Sequence, residues 1–189
     1  MVSKKLLNVK IILNESYIKT IKNSLGSSLF RNLYAYVDGK KTDILRNGRL
    51  SCANFVSTIL YRFKLIKDIH TTVEGTVKDL KESGWKKIKK PRPGAILVWE
   101  PQEVDDKIYW RHDHIGFYIG KNKAISTSYK SSNKGQPTLH HWTFGTYPTK
   151  STKAETTKRL FDKTKNGRPV RKVEQIFWNK KLEFTQKKT

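Results

Sequence analysis

The sequence predicts an α+β domain, and three observations predict it. Phe55, Val56, Ile59, Leu60 and Phe63 recur at helical spacing behind Cys52, the only cysteine among 189 residues. From residue 93 to 128, short apolar segments alternate with Gly, Pro and Asn turn signals, the pattern of a small antiparallel sheet. Nowhere do 18 apolar residues run together, so no segment reads as a membrane span. The length fits one domain, and five Trp, eight Tyr and eight Phe supply the material for its core.

Residues 1–48 read as a helical or mixed N-terminal segment of that domain, with Tyr17, Ile18, Ile21 and Leu25 as its apolar members and Asp38-Gly39 and Asn47-Gly48 as turns. A helix is expected over 51–65 with Ser51 as its N-cap, which puts Cys52 in the first turn. Unpaired amides and the positive end of the helix dipole there favour a thiolate over a thiol. A second short helix is expected over 75–80, closed by Gly84. The basic connector 85–94 ends in a Pro-Gly turn that launches a strand over 95–100. Strands over 114–119 and 124–128 follow, joined by a turn at 121–123. Residues 129–137 read as a loop, 139–145 as an aromatic strand, and 146–168 as a loop with a turn of helix at 154–161. A last strand over 170–178 completes a core of residues 49–180, before a frayed basic tail, 181–189.

Thirty-nine Lys and Arg against sixteen Asp and Glu give a formal charge of +23, which calls for a polyanionic partner. An anionic cell-wall polymer, phospholipid headgroups and nucleic acid all qualify. Lysine outnumbers arginine, the preferred reader of base edges, so nucleic acid is the lesser expectation. One cysteine excludes an internal disulfide and a Cys-rich zinc site. Lys10 interrupts the apolar opening and no small-residue cleavage site follows it. The expectation is a cytoplasmic monomer, unless the protein is released or exported by another route.

A helix bearing a lone cysteine, followed by a sheet whose second strand opens with His114, is the layout a thiol nucleophile and its base require. Three segments carry a family likeness. They are Ser51-Cys52-Ala53-Asn54-Phe55-Val56, Pro93-Gly94-Ala95-Ile96-Leu97-Val98-Trp99 and His114-Ile115-Gly116-Phe117-Tyr118-Ile119-Gly120. In order and spacing they resemble the motifs of the NlpC-type cell-wall cysteine peptidases and the related CHAP amidases, of the papain-like superfamily.

The resemblance implies a papain-like fold with Cys52 as nucleophile, His114 as general base and a third polar residue orienting the imidazole. In a hairpin centred near Lys121 the residue opposite His114 is about Ser126, where the family usually has His, Asn or Gln. Thr127, His140 and His141 are the other candidates. Asp113 points to the opposite strand face. Ser51 and Ala95 stand where the family has acids. Asn54 is a candidate oxyanion residue, against a reading as a polar surface position. Tyr34 and Tyr36 are candidate substrate-positioning hydroxyls, against ordinary packing, and Trp110 and Trp142 are candidate cleft walls. Trp85, Trp99 and Trp178 read as core, and His70 as exposed. His112 and His114, with His140 and His141, can be imagined as metal ligands, but the expectation is no metal and no cofactor.

The implied activity is hydrolysis of amide bonds through a Cys-His acyl-enzyme, in peptidoglycan stem peptides or cross-bridges. The alternatives are a basic module binding nucleic acid or another polyanion with a decayed thiol site, and a papain-like toxin or effector acting on a protein amide.

Overall fold

Alternating short strands assemble the sheet that carries the candidate site. In the computed structural model, which describes residues 9–103, 111–127, 134–147 and 168–183, α1 (Leu13–Asn23) precedes a hairpin of β1 (Tyr34–Val37) and β2 (Lys40–Asp43). Next come α2 (Cys52–Arg62), α3 (Val73–Glu82), β3 (Lys86–Lys87), β4 (Ile96–Glu103), β5 (Arg111–Gly120), β6 (Lys123–Thr127) and β7 (Pro137–His141). β8 (Thr146–Tyr147), β9 (Arg168–Pro169), β10 (Val173–Trp178) and a 3-10 turn, Lys180–Leu182, complete the described chain. The class is α+β. The strand expected over 124–128 is β6 as far as Thr127, Ser128 lying outside the described residues, and the strand over 139–145 is replaced by β7 and a turn. Trp110, the loop at 129–133 and the turn of helix at 154–161 lie outside the described residues.

Six strands pair antiparallel in the order β3-β10-β4-β5-β6-β7. β10, the last strand among the described residues, therefore inserts between two strands from the middle of the chain. Partners Ile96↔Phe117, Val98↔Ile115 and Phe117↔Ile125 set these residues on one face. Trp99↔His114 and Leu97↔Gly116 set the others on the opposite face.

The first face is covered by α2, whose Phe55 ring meets Phe117 edge-on at 5.3 Å. Tyr17 of α1 packs edge-on against Phe117 and Phe63, and Phe30 against Phe55. Burying each ring contributes about 2–3 kcal/mol. The Tyr17 hydroxyl donates to the Gly94 carbonyl at 3.0 Å, satisfying a polar atom in this core. α2 is buried almost all round, Asn54 and Ser57 included. Asn54 is therefore not the surface polar residue that amphipathic spacing suggested.

Two expectations about local polar groups are corrected. Ser51 has a helical backbone and its hydroxyl donates to Gly48 O at 2.9 Å, so its side chain does not cap α2. His70 is half-buried, with Nε2 2.8 Å from Asp79. Asp79 also accepts from the amides of Lys67 and Asp68 and from the Ser83 hydroxyl. One carboxylate thereby pins the loop between α2 and α3. Leu182, counted with the basic tail, is fully buried, and its carbonyl accepts from the Asn14 side chain. One apolar residue of a lysine-rich tail finds a core position that composition does not reveal.

Candidate active site

α2 brings Cys52 to the point where the pairing of β5 with β6 ends. Tyr118 donates its amide to Ala95 beside β4, so the amides of Gly116 and His114 also point toward β4 and that of Ile115 points away. β5 and β6 pair from Gly120↔Lys123 to Phe117↔Ile125, and Ile115 lies two residues beyond. Its amide meets the sulfur of Cys52 instead. The nucleophile candidate thus sits at the peptide bond that follows the base candidate.

Cys52 is half-buried. Burial pushes its thiol above the ordinary value, opposed by the Ile115 amide, the Ala53 amide, the Arg171 guanidinium and its own amide. With the Ser51 hydroxyl turned to Gly48, the first-turn amides of α2 are left to act on the sulfur.

His114 Nε2 is 2.8 Å from Ser126 Oγ, and His140 Nε2 is 2.8 Å from the same oxygen. The hairpin register differs from the simple expectation. Following Phe117↔Ile125 and Tyr118↔Ala124, Ser126 falls opposite Gly116 rather than His114. The position of the turn sets this register: Gly120↔Lys123 alone would put Ser126 opposite Phe117, and the irregularity between Tyr118 and Gly120 moves it one residue nearer, to Gly116. The serine still reaches His114 diagonally because Gly116 has no side chain. A Cβ there would come within 2.8 Å of Ser126 Cβ, 2.7 Å of Ile125 O and 3.1 Å of the Trp99 ring.

Alternation also selects the second histidine. Ala124↔His140 and Ser126↔Thr138 place His140 on the face of Ser126, and Lys123↔His141 places His141 on the other. His141 has its Nδ1 2.8 Å from Thr143 Oγ1, and its carbonyl lies 2.8 Å from His140 Nδ1. Of the two candidate histidines, the ring on Ser126 is therefore that of His140, and His141 is not in the cluster. Thr127 is buried at the end of β6, on the strand face opposite Ser126.

Aromatic rings enclose both imidazoles. Trp99 lies 5.3 Å from the His114 ring and 5.7 Å from that of His140. Phe144 stacks on His140 at 4.1 Å and 12°. Its left-handed backbone, φ 59°, turns it back over β7. Trp99 Nε1 donates to Trp142 O at 2.7 Å, so Trp142 holds this floor through its backbone while its ring packs on Tyr118.

Sequence reasoning missed Arg171. It is buried, donates Nε–H to Glu100 O at 2.8 Å, and lies 5.8 Å from the Phe144 ring centre. Nothing in a chain with 39 cations marks this one. Burial first, then Arg171 and His140, hold His114 well below the ordinary imidazole value. Burial also brings His140 down to about 4, against the raising effect of the His141 carbonyl and helped by His141 and Arg171. Both imidazoles are neutral at pH 7.

Among the described residues, the other predicted residues share no hydrogen bond or ring contact with this cluster. Asn54 is buried two positions beyond Cys52, a spacing that points side chains to different sides of a helix. Tyr34 and Tyr36 stand on the β1–β2 hairpin at 61% and 80% exposure, which rules out ordinary packing for them. Lys41 Nζ lies 5.3 Å from the Tyr34 ring centre. Among the described residues no group of three His, Cys, Asp or Glu side chains can hold a metal ion, and no helix is long and apolar enough to cross a membrane. No protein-family model matches the chain, and no curated protein is significantly similar to it.

Proposed function

We propose that the protein is a papain-like thiol hydrolase that cuts amide bonds, with peptidoglycan stem peptides or cross-bridges as its substrate. The observation that carries this reading is the Cys52 sulfur held at the first turn of α2 against the Ile115 amide, the N–H of the peptide bond that follows His114. The opposed pKa shifts make the resting pair a neutral thiol and a neutral imidazole. His114 then acts as a general base. It takes the thiol proton as sulfur attacks the carbonyl carbon, and the Cys52 amide and the Arg171 charge favour the negative charge that develops. Collapse breaks the C–N bond, the leaving amine receives the proton from His114, and water activated by His114 hydrolyses the thioester. The charge of +23 concentrates such an enzyme on an anionic wall.

Purified peptidoglycan incubated with the protein should release free amines, and Cys52→Ala or prior iodoacetamide treatment should reduce release at least about 10³-fold. Full activity in either case sinks the proposal. The rate should be level across neutral pH and fall on the acid side only well below pH 6.5, as His114 becomes protonated.

The exposed Tyr34 and Tyr36 with Lys40 and Lys41 favour a second reading, a polyanion-binding module. It predicts binding that weakens steeply with salt and ignores alkylation of Cys52. Failure to bind any polyanion at moderate salt sinks it.

A further inference from the structure

We propose that His140, acting through the Ser126 hydroxyl, is a positioning residue that holds His114 in the tautomer with hydrogen on Nε2, leaving Nδ1 as the basic nitrogen. The assignment follows from a proton inventory over three contacts. His140 Nδ1 lies 2.8 Å from the His141 carbonyl oxygen. A carbonyl only accepts, so Nδ1 carries the hydrogen. Neutral imidazole has one N–H, which makes His140 Nε2 an acceptor. At 2.8 Å it receives the Ser126 hydroxyl proton. Serine has no second proton, so the 2.8 Å contact on its other side is His114 Nε2–H donating to Oγ. Nδ1 of His114 keeps its lone pair.

Neutrality of both rings is what makes the inventory close, and the surroundings enforce it. Trp99 and Phe144 border each ring. Arg171 disfavours a positive charge on either, and among the described residues no carboxylate is bonded to Ser126 or to either ring. A hydroxyl alone chooses no tautomer, since it rotates and serves as donor or acceptor. His140 removes that freedom. The side-chain-free Gly116 lets the serine sit between the two rings.

In the proposed reaction the thiol proton arrives on Nδ1 of His114. The imidazolium keeps its Nε2–H on Ser126 Oγ, so no proton passes to His140 and the relay does not rearrange. This catalytic consequence rests on the thiol-hydrolase reading, whereas the tautomer does not.

The test is long-range ¹⁵N–¹H NMR of the full chain with ¹⁵N-labelled histidine near pH 7.5, run beside amide-hydrolysis kinetics. Wild-type His114 should show a protonated Nε2 and an unprotonated Nδ1. His140→Phe, which keeps an aromatic ring but removes the acceptor, should shift population toward the Nδ1–H tautomer and lower kcat by about 10²-fold with little change in KM. Adding Ser126→Asn to His140→Phe should restore both, because a fixed amide oxygen accepts from Nε2–H unaided. A wild-type His114 in the Nδ1–H form overturns the proposal, as does a His140→Phe variant with unchanged tautomer and kcat. If the wild type shows the assigned tautomer but hydrolyses no amide, the hydrolase reading falls and the relay stands.

Discussion

Two histidine networks in this molecule use similar parts to opposite ends. Around Asp79, His70 meets a carboxylate, and four further hydrogen bonds from Lys67, Asp68 and Ser83 converge on it. Burial pushes this carboxyl up, but those bonds outweigh it and hold the value at about 2. Around Ser126, His114 and His140 meet a hydroxyl, with buried Arg171 nearby. A fixed negative charge makes the first network a clamp. Among the described residues no carboxylate is bonded to the second network, and burial first, then Arg171, keep its two imidazoles neutral.

Breaking the clamp should have the largest effect on stability. Asp79→Ala leaves the Lys67 and Asp68 amides without their acceptor, at a cost of about 3–5 kcal/mol in chemical denaturation. The same variant should leave the activity of each folded molecule unchanged. Gly116→Ala strikes the other network. Its Cβ meets backbone and the Ser126 side chain, so about 1–3 kcal/mol of stability and the His114–Ser126 contact should go together.

His140 and Asp79 should also titrate in separate windows. His140 binds its proton more weakly folded than unfolded, so acid protonates the unfolded chain first. Its contribution is complete above about pH 6.5 and declines between there and about pH 4, by roughly 2–3 kcal/mol. Asp79 binds its proton more weakly folded as well, but its window lies lower, with loss from the ordinary carboxylate range down to about pH 2. Stability curves of wild type and His140→Phe should diverge only in the first window.

The elements nearest the candidate site are the most legible in sequence. Cys52 heads a helix of apolar period, and His114 lies on a strand followed by a short apolar run to Ile119. Local periodicity sets both. The hairpin of β1 and β2 is visible only as its Asp38-Gly39 turn, because its strands are mostly exposed and carry no burial pattern. β3 is two lysines paired to Trp178 and Phe177, a pairing set by distant chain. His140 cannot be told from its neighbour until the β6–β7 register fixes which of the two shares a face with Ser126. Arg171 and the His70–Asp79 pair depend on contacts between distant elements, and residue type alone does not announce them.

The central claim is that Cys52 attacks an amide carbonyl under the influence of His114. Rapid acid quenching of the protein with a peptidoglycan peptide, followed by mass spectrometry, tests it most directly. The account predicts an acyl group on Cys52 as a hydroxylamine-labile thioester, absent from His114→Ala. Amide hydrolysis that continues with Cys52 fully alkylated would contradict it.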